Sequence, residues 1–277
     1  MKEDDILGLK SLLAHPRKIV IVPHKNPDGD AMGSSLALSA FFKNLNHHCT
    51  VVAPNEYPDF LKWMPGDHEV LKFDHHPEAA TRKIFDADLI FTVDFNSLER
   101  LDEMKPVVEK SKAVFVMIDH HRQPESYARF MYSDASMSST CEMVFNFINF
   151  LSGTHLIDAD IATCLYTGIM TDTGNFRFPS TTAETHKVTA TLIDKGAKPS
   201  EIYNAVFDTN TPERLKLLGR ALNNMVVLDH LNTAYITLSK TELEEFKFKK
   251  GDTEGFVNYG LSLKGIKLAV FFAENTT

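Results

Sequence analysis

Short apolar runs alternate with amphipathic stretches through the first half of the chain. The strand-like runs lie at residues 18–23, 49–53, 89–93 and 114–118, and the stretches with helical periodicity between them lie at 31–45 and 98–110. An order of strand, helix, strand and helix predicts a parallel sheet whose crossover helices cover both faces. We therefore predict an α/β fold for this part of the chain.

Helical periodicity then dominates up to about residue 223. The helical stretches lie at 139–151, 159–170, 185–195, 201–206 and 212–223. The last of these begins at Thr211-Pro212-Glu213, a capping residue followed by proline at the first helical position. We interpret it as a linker helix, which gives a first domain over 1–211 and a linker over 212–224.

The pattern changes again after this helix. Strand-like runs at 225–228, 233–238 and 266–272, with a helix near 241–246, predict a smaller α+β domain over 225–277. The run at 266–272 has the composition of a good strand, but few residues follow it. We expect this strand to have nothing to pair with or to cover it, and hence the second domain to be incomplete.

Composition narrows the class of protein. Of the 277 residues, 43% are hydrophobic and 24% are charged, as in ordinary soluble globular proteins. The apolar runs are too short to span a membrane, and the acidic start Met1–Asp5 does not fit a secretory signal. Cys49, Cys141 and Cys164 are widely spaced, which favours a reducing compartment. We expect a cytoplasmic protein without a membrane partner.

The net charge of −8 argues against a protein that coats long nucleic acid. It does not argue against a short phosphorylated substrate. Some of the excess acid lies in clusters where a bound metal ion would reverse the local sign of the charge.

Two polar clusters directly follow strand-like runs. His24–Asp30 follows residues 18–23, and Asp119-His120-His121 follows residues 114–118. Ligands of open α/β sheets lie at the carboxyl ends of the strands, so these clusters are expected to face the same crevice. Carboxylate oxygens together with imidazole nitrogens suit Mn²⁺, Mg²⁺ or Zn²⁺. The sequence therefore predicts a divalent metal site.

Each cluster also has a simpler explanation. Asn26-Pro27-Asp28-Gly29 is a good tight turn, Asp94 is a strand-end residue of the kind that caps a turn, and Asp172 could end a helix. Asp119-His120-His121 is the stronger signal, because three ionisable residues after an apolar strand are costly to bury without a partner. Four such clusters at four element ends are easier to explain as one site. By contrast, we interpret Asp74-His75-His76 as a solvated turn.

The order of these clusters resembles the motifs of the DHH phosphoesterase family. His24–Asp30 is similar to the first motif, Asp94 to the second, Asp119–His121 to the third and Gly168–Gly174 to the fourth. The resemblance covers residues 18–180. Within the family, the first motif and the segment 171–178 look most similar to the nanoRNase and phosphoadenosine phosphatase branch. RecJ-type exonucleases, cyclic-dinucleotide phosphodiesterases, manganese pyrophosphatases and exopolyphosphatases are more distant relatives.

The resemblance implies a site with two Mn²⁺ ions, with Mg²⁺ or another divalent ion left open. It places His24, Asp28 and Asp94 on one ion and Asp30, Asp94, His120 and Asp172 on the other, with Asp94 as the bridge. It also implies catalytic roles for His121, which would lie beside the ions and serve the substrate, and for Asp119, which would orient an imidazole.

One feature of the family is missing from the sequence. In the family, the DHH-associated domain, which would correspond to 225–277 here, ends in a Gly-Gly-Gly-His segment that contacts the phosphate and sugar of the substrate. The sequence stops before any such motif. We therefore expect part of the substrate-binding determinant to be absent from these residues.

Three functions follow from these observations. The first is a metal-dependent phosphohydrolase of short RNA or DNA oligonucleotides, linear dinucleotides or the nucleotide bisphosphate 3′-phosphoadenosine 5′-phosphate. The second is a pyrophosphatase, polyphosphatase or cyclic-dinucleotide phosphodiesterase of the same family. The third, a sensor without turnover, is disfavoured because it would need neither a bridging Asp94 nor His121. A homodimer is left open.

Arg177 is a candidate substrate contact. It follows the Asp172 loop within Asn175-Phe176-Arg177-Phe178. One hypothesis is that Phe176 and Phe178 pack beneath this loop while the guanidinium binds a substrate phosphate in bidentate fashion. The alternative, equally supported by the sequence, is a surface arginine that lies over the two phenyl rings.

Overall fold

The computed structural model describes residues 1–249 and 251–274. Its internal contacts divide the chain into two compact units, Met1–Val206 and Phe207–Thr277. The helix that we interpret as a linker lies in the second unit by this division. The domain limits at 211 and 225 stay a prediction.

The first unit contains six strands and eight α-helices, the last of which ends at Phe207. The strands are β1 (Lys18–Pro23), β2 (His48–Ala53), β3 (Leu71–Lys72), β4 (Leu89–Val93), β5 (Val114–Asp119) and β6 (Phe130–Ser133). The helices are α1 (Glu3–Leu12), α2 (Gly29–Asn44), α3 (Pro77–Phe85), α4 (Lys105–Glu109), α5 (Thr140–Phe150), α6 (Ala159–Asp172), α7 (Ala183–Asp194) and α8 (Pro199–Phe207).

The six strands form one sheet in the order β3-β2-β1-β4-β5-β6. Every neighbouring pair in it is parallel. The prediction of an α/β fold with a parallel sheet is thus confirmed. The strand order changes direction beside β1 and β4, which is where open sheets of this class leave a crevice at the carboxyl ends.

Successive residues of the central strands belong to two different cores. Ile19 and Ile21 of β1 pack in the larger core, which also contains side chains of α2, α5 and α6. Val20 and Val22 pack in the other core, with side chains of α3 and α4. A sheet buried on both faces needs continuously apolar strands, which explains why β4 has no exposed position.

Two glycines allow α2 and α6 to approach closely. A Cβ atom on Gly33 would lie 2.5 Å from the backbone oxygen of Cys164, and one on Gly168 would lie 2.8 Å from Oδ1 of Asp30. Both distances are shorter than real Cβ contacts. The absence of side chains at these positions therefore brings the end of α6, with Asp172, next to the start of α2, with Asp30.

Two parts of the first unit differ from the sequence-based interpretation. The strand β6 was not predicted, because its four residues are too few for a clear period. The stretch 98–110 is not one helix: Leu98–Met104 is a 3₁₀ segment, and α4 follows it. Asp102 breaks the first part with a φ of 49°.

The second unit is an α+β arrangement, as predicted. It contains α9 (Pro212–Asn223), β7 (Val226–Leu228), β8 (Thr233–Leu238), α10 (Lys240–Glu245), α11 (Phe256–Leu261) and β9 (Leu268–Ala273). Its sheet has the order β7-β8-β9, with an antiparallel pair and a parallel pair. Its core includes Leu217, Ile236, Leu238 and Phe256.

The expectation that the last strand has nothing to pair with is wrong. β9 pairs in parallel with β8 over its whole length, from Leu268 opposite Thr233 to Ala273 opposite Leu238. The connection through α10 and α11 is long enough to return the chain to the same end of the sheet, as a parallel pair requires.

Within the described residues, no helix is long and apolar enough to cross a bilayer.

Candidate metal centre

The six predicted metal ligands converge at the carboxyl ends of β1, β4 and β5 and at the end of α6. Their ligand atoms form groups in which all atoms lie within 4.8 Å of one another. The groups are His24 with Asp28 and Asp94, Asp30 with His120 and Asp172, and Asp94 with His120 and His121. The first group has the same members as one ligand set that the resemblance implies, and the second has three of the four members of the other set. The third group adds His121, which the resemblance places beside the ions. That these sets hold ions stays a prediction.

The turn after β1 fixes two of these side chains. Asp28 is the N-cap of α2, and its Oδ1 accepts the backbone N–H groups of Asp30 and Ala31, both at 3.0 Å. Its other oxygen, Oδ2, lies 3.9 Å from Nε2 of His24. The Nδ1 of His24 donates to the Lys25 carbonyl at 2.7 Å, which leaves Nε2 free to face the crevice.

Asp94 lies between the two sets. Its Oδ2 is 3.6 Å from Nε2 of His24, and its Oδ1 is 3.5 Å from Nε2 of His120. The residue is only 2% exposed, and its backbone is left-handed with a φ of 66°. Non-glycine residues adopt this conformation at a cost and often at functional sites. The turn directs one carboxylate oxygen to each set, as a bridging ligand requires.

The second set is completed by residues from three elements. Nε2 of His120 lies 3.6 Å from Oδ2 of Asp172, the last residue of α6. Asp30, in the first turn of α2, is 1% exposed. Because α2 and α6 meet through glycines, these two carboxylates lie near the same imidazole.

Asp119 and His121 form a separate pair beside these sets. His121 Nδ1 donates to Oδ1 of the fully buried Asp119 at 2.7 Å. The same nitrogen lies 3.9 Å from Oδ1 of Asp94. Asp119 thus has the position of a residue that orients an imidazole. Side chains of adjacent residues at a strand end point in different directions, so His121 is not expected to approach the same carboxylate as His120. It nevertheless lies close to Asp94, and the metal content of a His121 variant tests whether it is a ligand.

The segment after Asp172 is a left-handed turn. Gly174, Asn175 and Phe176 have φ values of 56°, 60° and 62°. The Phe176 ring packs between Tyr166 and His186, with centroid distances of 5.9 and 5.5 Å. Phenylalanine rarely adopts a positive φ. Packing of its ring on both sides explains why the turn is stable.

Arg177 lies at the surface of this turn. Its guanidinium carbon is 5.4 Å from the centroid of the Phe178 ring, which is 36% exposed. This stacking matches the surface alternative drawn from the sequence. Contact between Arg177 and a substrate phosphate stays a prediction.

Asp74-His75-His76 is an exposed turn between β3 and α3, as predicted. Asp74 Oδ2 accepts the backbone N–H of Glu56 at 3.0 Å. None of the three residues belongs to the groups that could hold a metal within the described part of the chain. They therefore offer matched surface controls for the buried Asp and His residues.

The acidic groups of the site influence one another's pKa values. Burial raises the pKa of Asp30 well above its ordinary value, and the charges of Asp94 and Asp172 raise it further. Burial, together with the Asp94 and Asp28 charges, raises the pKa of Asp172 to about 6, although His120 opposes the shift. These carboxylates repel one another in a confined space.

The pKa of His120 is also raised, whereas the pKa of the central carboxylate, Asp94, is lowered. Burial lowers the pKa of His120, but the Asp94, Asp30 and Asp172 carboxylates outweigh it and raise that pKa to about 10. Burial raises the pKa of Asp94, but His120 and His24 outweigh it and lower that pKa. The four carboxylates of the site thus outnumber its two imidazoles, even when the imidazoles are protonated. Carboxylate and imidazole donors with such an excess of acidic groups fit a divalent cation.

The metal-free protein is therefore expected to lose stability as the pH rises. Asp172 and His120 bind their protons more tightly in the folded state, because their folded pKa values of about 6 and about 10 exceed the ordinary values. Each group stabilises the fold fully at pH values below its unfolded pKa, near 3.9 for Asp172 and 6.5 for His120. This stabilisation is lost as the pH rises through the folded pKa. Thermal melting in a chelator from about pH 5 to about pH 9 measures this.

The melting temperature should fall over this range, and Mn²⁺ should reduce the fall. Asp172→Asn should reduce the fall in melting temperature in the acidic part of this pH range. A melting temperature of the metal-free protein that rises steadily with pH would contradict the charge balance described here.

The sequence did not identify one set of contacts in the site. Thr140 Oγ1 donates to Oδ1 of Asp94 at 2.9 Å, and the backbone N–H groups of Thr140 and Cys141 donate to Asp30 at 2.6 and 2.8 Å. Backbone N–H groups are common to almost all residue types, so their contacts cannot be predicted from the identity of a residue. From the sequence, Thr140 lies only near the start of the helical stretch at 139–151.

The sequence of the chain is similar to a known protein family. The model of the DHH family, N-terminal domain, matches residues 18–169. The chain is 28% identical over 260 residues to a bifunctional oligoribonuclease and PAP phosphatase, NrnA, of Bacillus subtilis, covering 92% of this chain and 77% of that protein. It is 32% identical over 257 residues to the NrnA of Thermus thermophilus, covering 91% of this chain and 71% of that protein.

Solved structures show the same similarity. The crystal structure of an exopolyphosphatase-related protein from Bacteroides fragilis matches with a TM-score of 0.97 and 41% identity, over 99% of this chain and 81% of that chain. A putative family II inorganic pyrophosphatase of Methanococcus jannaschii matches with a TM-score of 0.52 and 19% identity, over 93% of this chain and 84% of that one. The second match shows the fold alone.

Proposed function

The chain belongs to the DHH family, and on this basis we propose that it is a metal-dependent phosphohydrolase of short oligoribonucleotides and of 3′-phosphoadenosine 5′-phosphate. The observation that carries the proposal is Asp94, a buried carboxylate whose two oxygens face two separate sets of Asp and His side chains. The NrnA proteins that resemble this chain are described by the same two activities.

We propose Mn²⁺ as the cation, at two positions. His24, Asp28 and Asp94 would hold one ion, and Asp30, Asp94, His120 and Asp172 the other. Two such cations, when bound, supply a nucleophile from water and neutralise charge on the phosphoryl oxygens. The donor atoms support the proposal because every one is a carboxylate oxygen or an imidazole nitrogen, and the acidic members exceed the histidines in number.

His121 would serve the substrate. Asp119 accepts a hydrogen bond from its Nδ1, which leaves Nε2 as the ring nitrogen available to a substrate. A protonated Nε2 can donate to a phosphoryl oxygen or pass its proton to the leaving 3′-oxygen. Asp119 acts as the orienting residue, since it is fully buried and its Oδ1 accepts the hydrogen bond from the imidazole.

A second candidate function is hydrolysis of pyrophosphate or polyphosphate. It is favoured by the similarity to the exopolyphosphatase-related protein.

Phosphate or mononucleotide release with Mn²⁺ should be measured on a short RNA, a linear dinucleotide, 3′-phosphoadenosine 5′-phosphate, pyrophosphate and polyphosphate. Turnover of the first three alone supports the proposal, and turnover of the last two alone supports the second candidate. Binding without turnover of any would indicate a sensor.

The remaining expectations are part of the same proposal. A cytoplasmic location suits the three cysteines, which are all free. The domain over 225–277 would contribute to substrate binding, and a homodimer stays open. Light scattering of the purified chain measures its mass in solution and decides between monomer and dimer.

Arg177→Ala is expected to raise KM for nucleotide substrates several-fold, with Mn²⁺ affinity unchanged. The proposed reason is the loss of a guanidinium that pairs with a substrate phosphate. Steady-state kinetics and Mn²⁺ titration of the same preparation give both quantities.

Arg129→Ala is the matched control. Arg129 is also exposed and stacks on a phenyl ring, Phe130, at 5.1 Å, but it precedes β6 at the amino end of that strand. An unchanged KM in Arg177→Ala, or an equal rise in both variants, would mean that Arg177 is only a surface residue stacked on Phe178.

A further inference from the structure

Asp94 has two equivalent oxygens, and something must fix which oxygen faces which set of ligands. Its side chain can rotate about the bond to the carboxylate, because that torsion is broad and roughly two-fold. His24 and His120 contact opposite oxygens at 3.6 and 3.5 Å, but both are themselves predicted ligands. A contact that fixes the carboxylate independently of the ions has to come from a residue outside the predicted ligand set.

Thr140 provides an independent contact. It is the first residue of α5 and is fully buried, and its hydroxyl donates to Oδ1 of Asp94 at 2.9 Å. Thr140 has no predicted role as a ligand. A hydroxyl that donates to one lone pair of a carboxylate oxygen leaves the other lone pair available to a cation.

The same helix start also holds Asp30. The backbone N–H of Thr140 donates to Oδ2 of Asp30 at 2.6 Å, and that of Cys141 donates to Oδ1 at 2.8 Å. These are free donors of the first helical turn, where the helix dipole also favours a negative charge. Thr140 therefore contacts the bridging carboxylate through its side chain and a carboxylate of the second set through its backbone.

The start of α5 is anchored away from the ligands. Ser139 caps the helix by accepting the N–H of Glu142 at 3.1 Å. The buried carboxylate of Glu142 accepts the hydroxyls of Ser138 and Thr185, the latter at 2.9 Å. Thr185 lies on α7, so these bonds tie the start of α5 to a neighbouring helix, not to the ligands.

We propose that Thr140 is a positioning residue that locks the orientation of the Asp94 carboxylate, and thereby sets the affinity of the site for its cations. The inference rests on the proposed function, because it requires that the site bind divalent ions. The hydroxyl acts through Asp94, so its loss should affect metal affinity directly and turnover only as a consequence.

Thr140→Val tests this, because valine keeps the shape and the backbone N–H and removes only the hydroxyl. We expect Mn²⁺ binding to weaken roughly 10- to 100-fold, the usual effect of losing a group that orients a metal ligand. Thr140→Ser, which restores the hydroxyl, should bind Mn²⁺ nearly as the wild type does. Isothermal titration of the metal-free chain with Mn²⁺ gives the affinity and stoichiometry, and circular dichroism checks the fold.

Thr189→Val is the matched control. Its hydroxyl is also buried in a helix, but it donates to the Thr185 carbonyl at 2.9 Å and contacts no carboxylate of the site. This variant should bind Mn²⁺ as the wild type does. If Thr140→Val does not fold, Thr140→Ala replaces it under the same criteria.

Three results would overturn the inference: unchanged Mn²⁺ affinity in Thr140→Val, an equal loss in Thr189→Val, or an equal loss in Thr140→Ser. A wild-type chain that binds Mn²⁺ but turns over no phosphorylated substrate would instead refute the proposed function and leave the role of Thr140 standing. A wild-type chain that binds no Mn²⁺ would refute both.

Discussion

Asp94→Ala is expected to abolish turnover and to weaken the binding of both cations. Its carboxylate faces His24 with one oxygen and His120 with the other, so its removal takes a ligand from each set. It also leaves these two imidazoles without the acid between them. Loss of a group that only orients a ligand already costs about 10- to 100-fold in metal affinity, so loss of a shared ligand should cost more.

Asp74→Ala is the control for this experiment. Asp74 is the exposed acid of the other Asp-His-His run, and its side chain caps a backbone N–H. Its removal should leave metal binding and turnover nearly unchanged. If Asp74→Ala removes activity and Asp94→Ala does not, the assignment of the motifs is wrong.

His121→Ala is expected to keep its metal and to lose roughly 10²–10⁴ in kcat, the usual size of general acid–base catalysis. The imidazole donates its Nδ1 hydrogen to Asp119, so Nε2 is the nitrogen that we propose donates a proton to the substrate. His120→Ala, in contrast, should lose metal, because His120 contacts both Asp94 and Asp172. Elemental analysis beside kcat separates the two outcomes.

The distance of 3.9 Å between His121 Nδ1 and Asp94 Oδ1 makes this comparison informative. A His121→Ala protein depleted of metal would make His121 a ligand and would overturn its role as a proton donor. His75→Ala is the surface control, since His75 is an exposed histidine of the other Asp-His-His run. It should retain both metal and kcat.

The parallel sheet and the convergence of the Asp and His side chains at one edge of it could be predicted from the sequence. Strands such as Leu89–Val93 are buried on both faces and are therefore apolar throughout, which is a strong signal. Polar residues immediately after such strands mark the ligand-binding edge of the sheet. The resemblance to the DHH phosphoesterase motifs then implied that Asp94, His120 and Asp172 meet.

Other features left no such signal. The four residues of β6 are too few to show a period, and the pairing of β9 with β8 depends on a crossover rather than on a local turn. The contacts of Thr140 and Cys141 with Asp30 come from backbone N–H groups, which every residue except proline carries. The left-handed backbone of Asp94 is likewise a property of its turn and not of its residue type.

The predicted ligands are contributed by four separate segments, from His24 to Asp172, that meet only when the sheet and the α2–α6 contact are complete. A partly synthesised or partly unfolded chain therefore has no assembled site, and a divalent ion binds the native state alone. By mass action, a free ion concentration a hundred times the dissociation constant stabilises that state by roughly 2.7 kcal/mol. With Mn²⁺ as the proposed cation, its supply would thus set how long the protein survives proteolysis, as well as how fast it works.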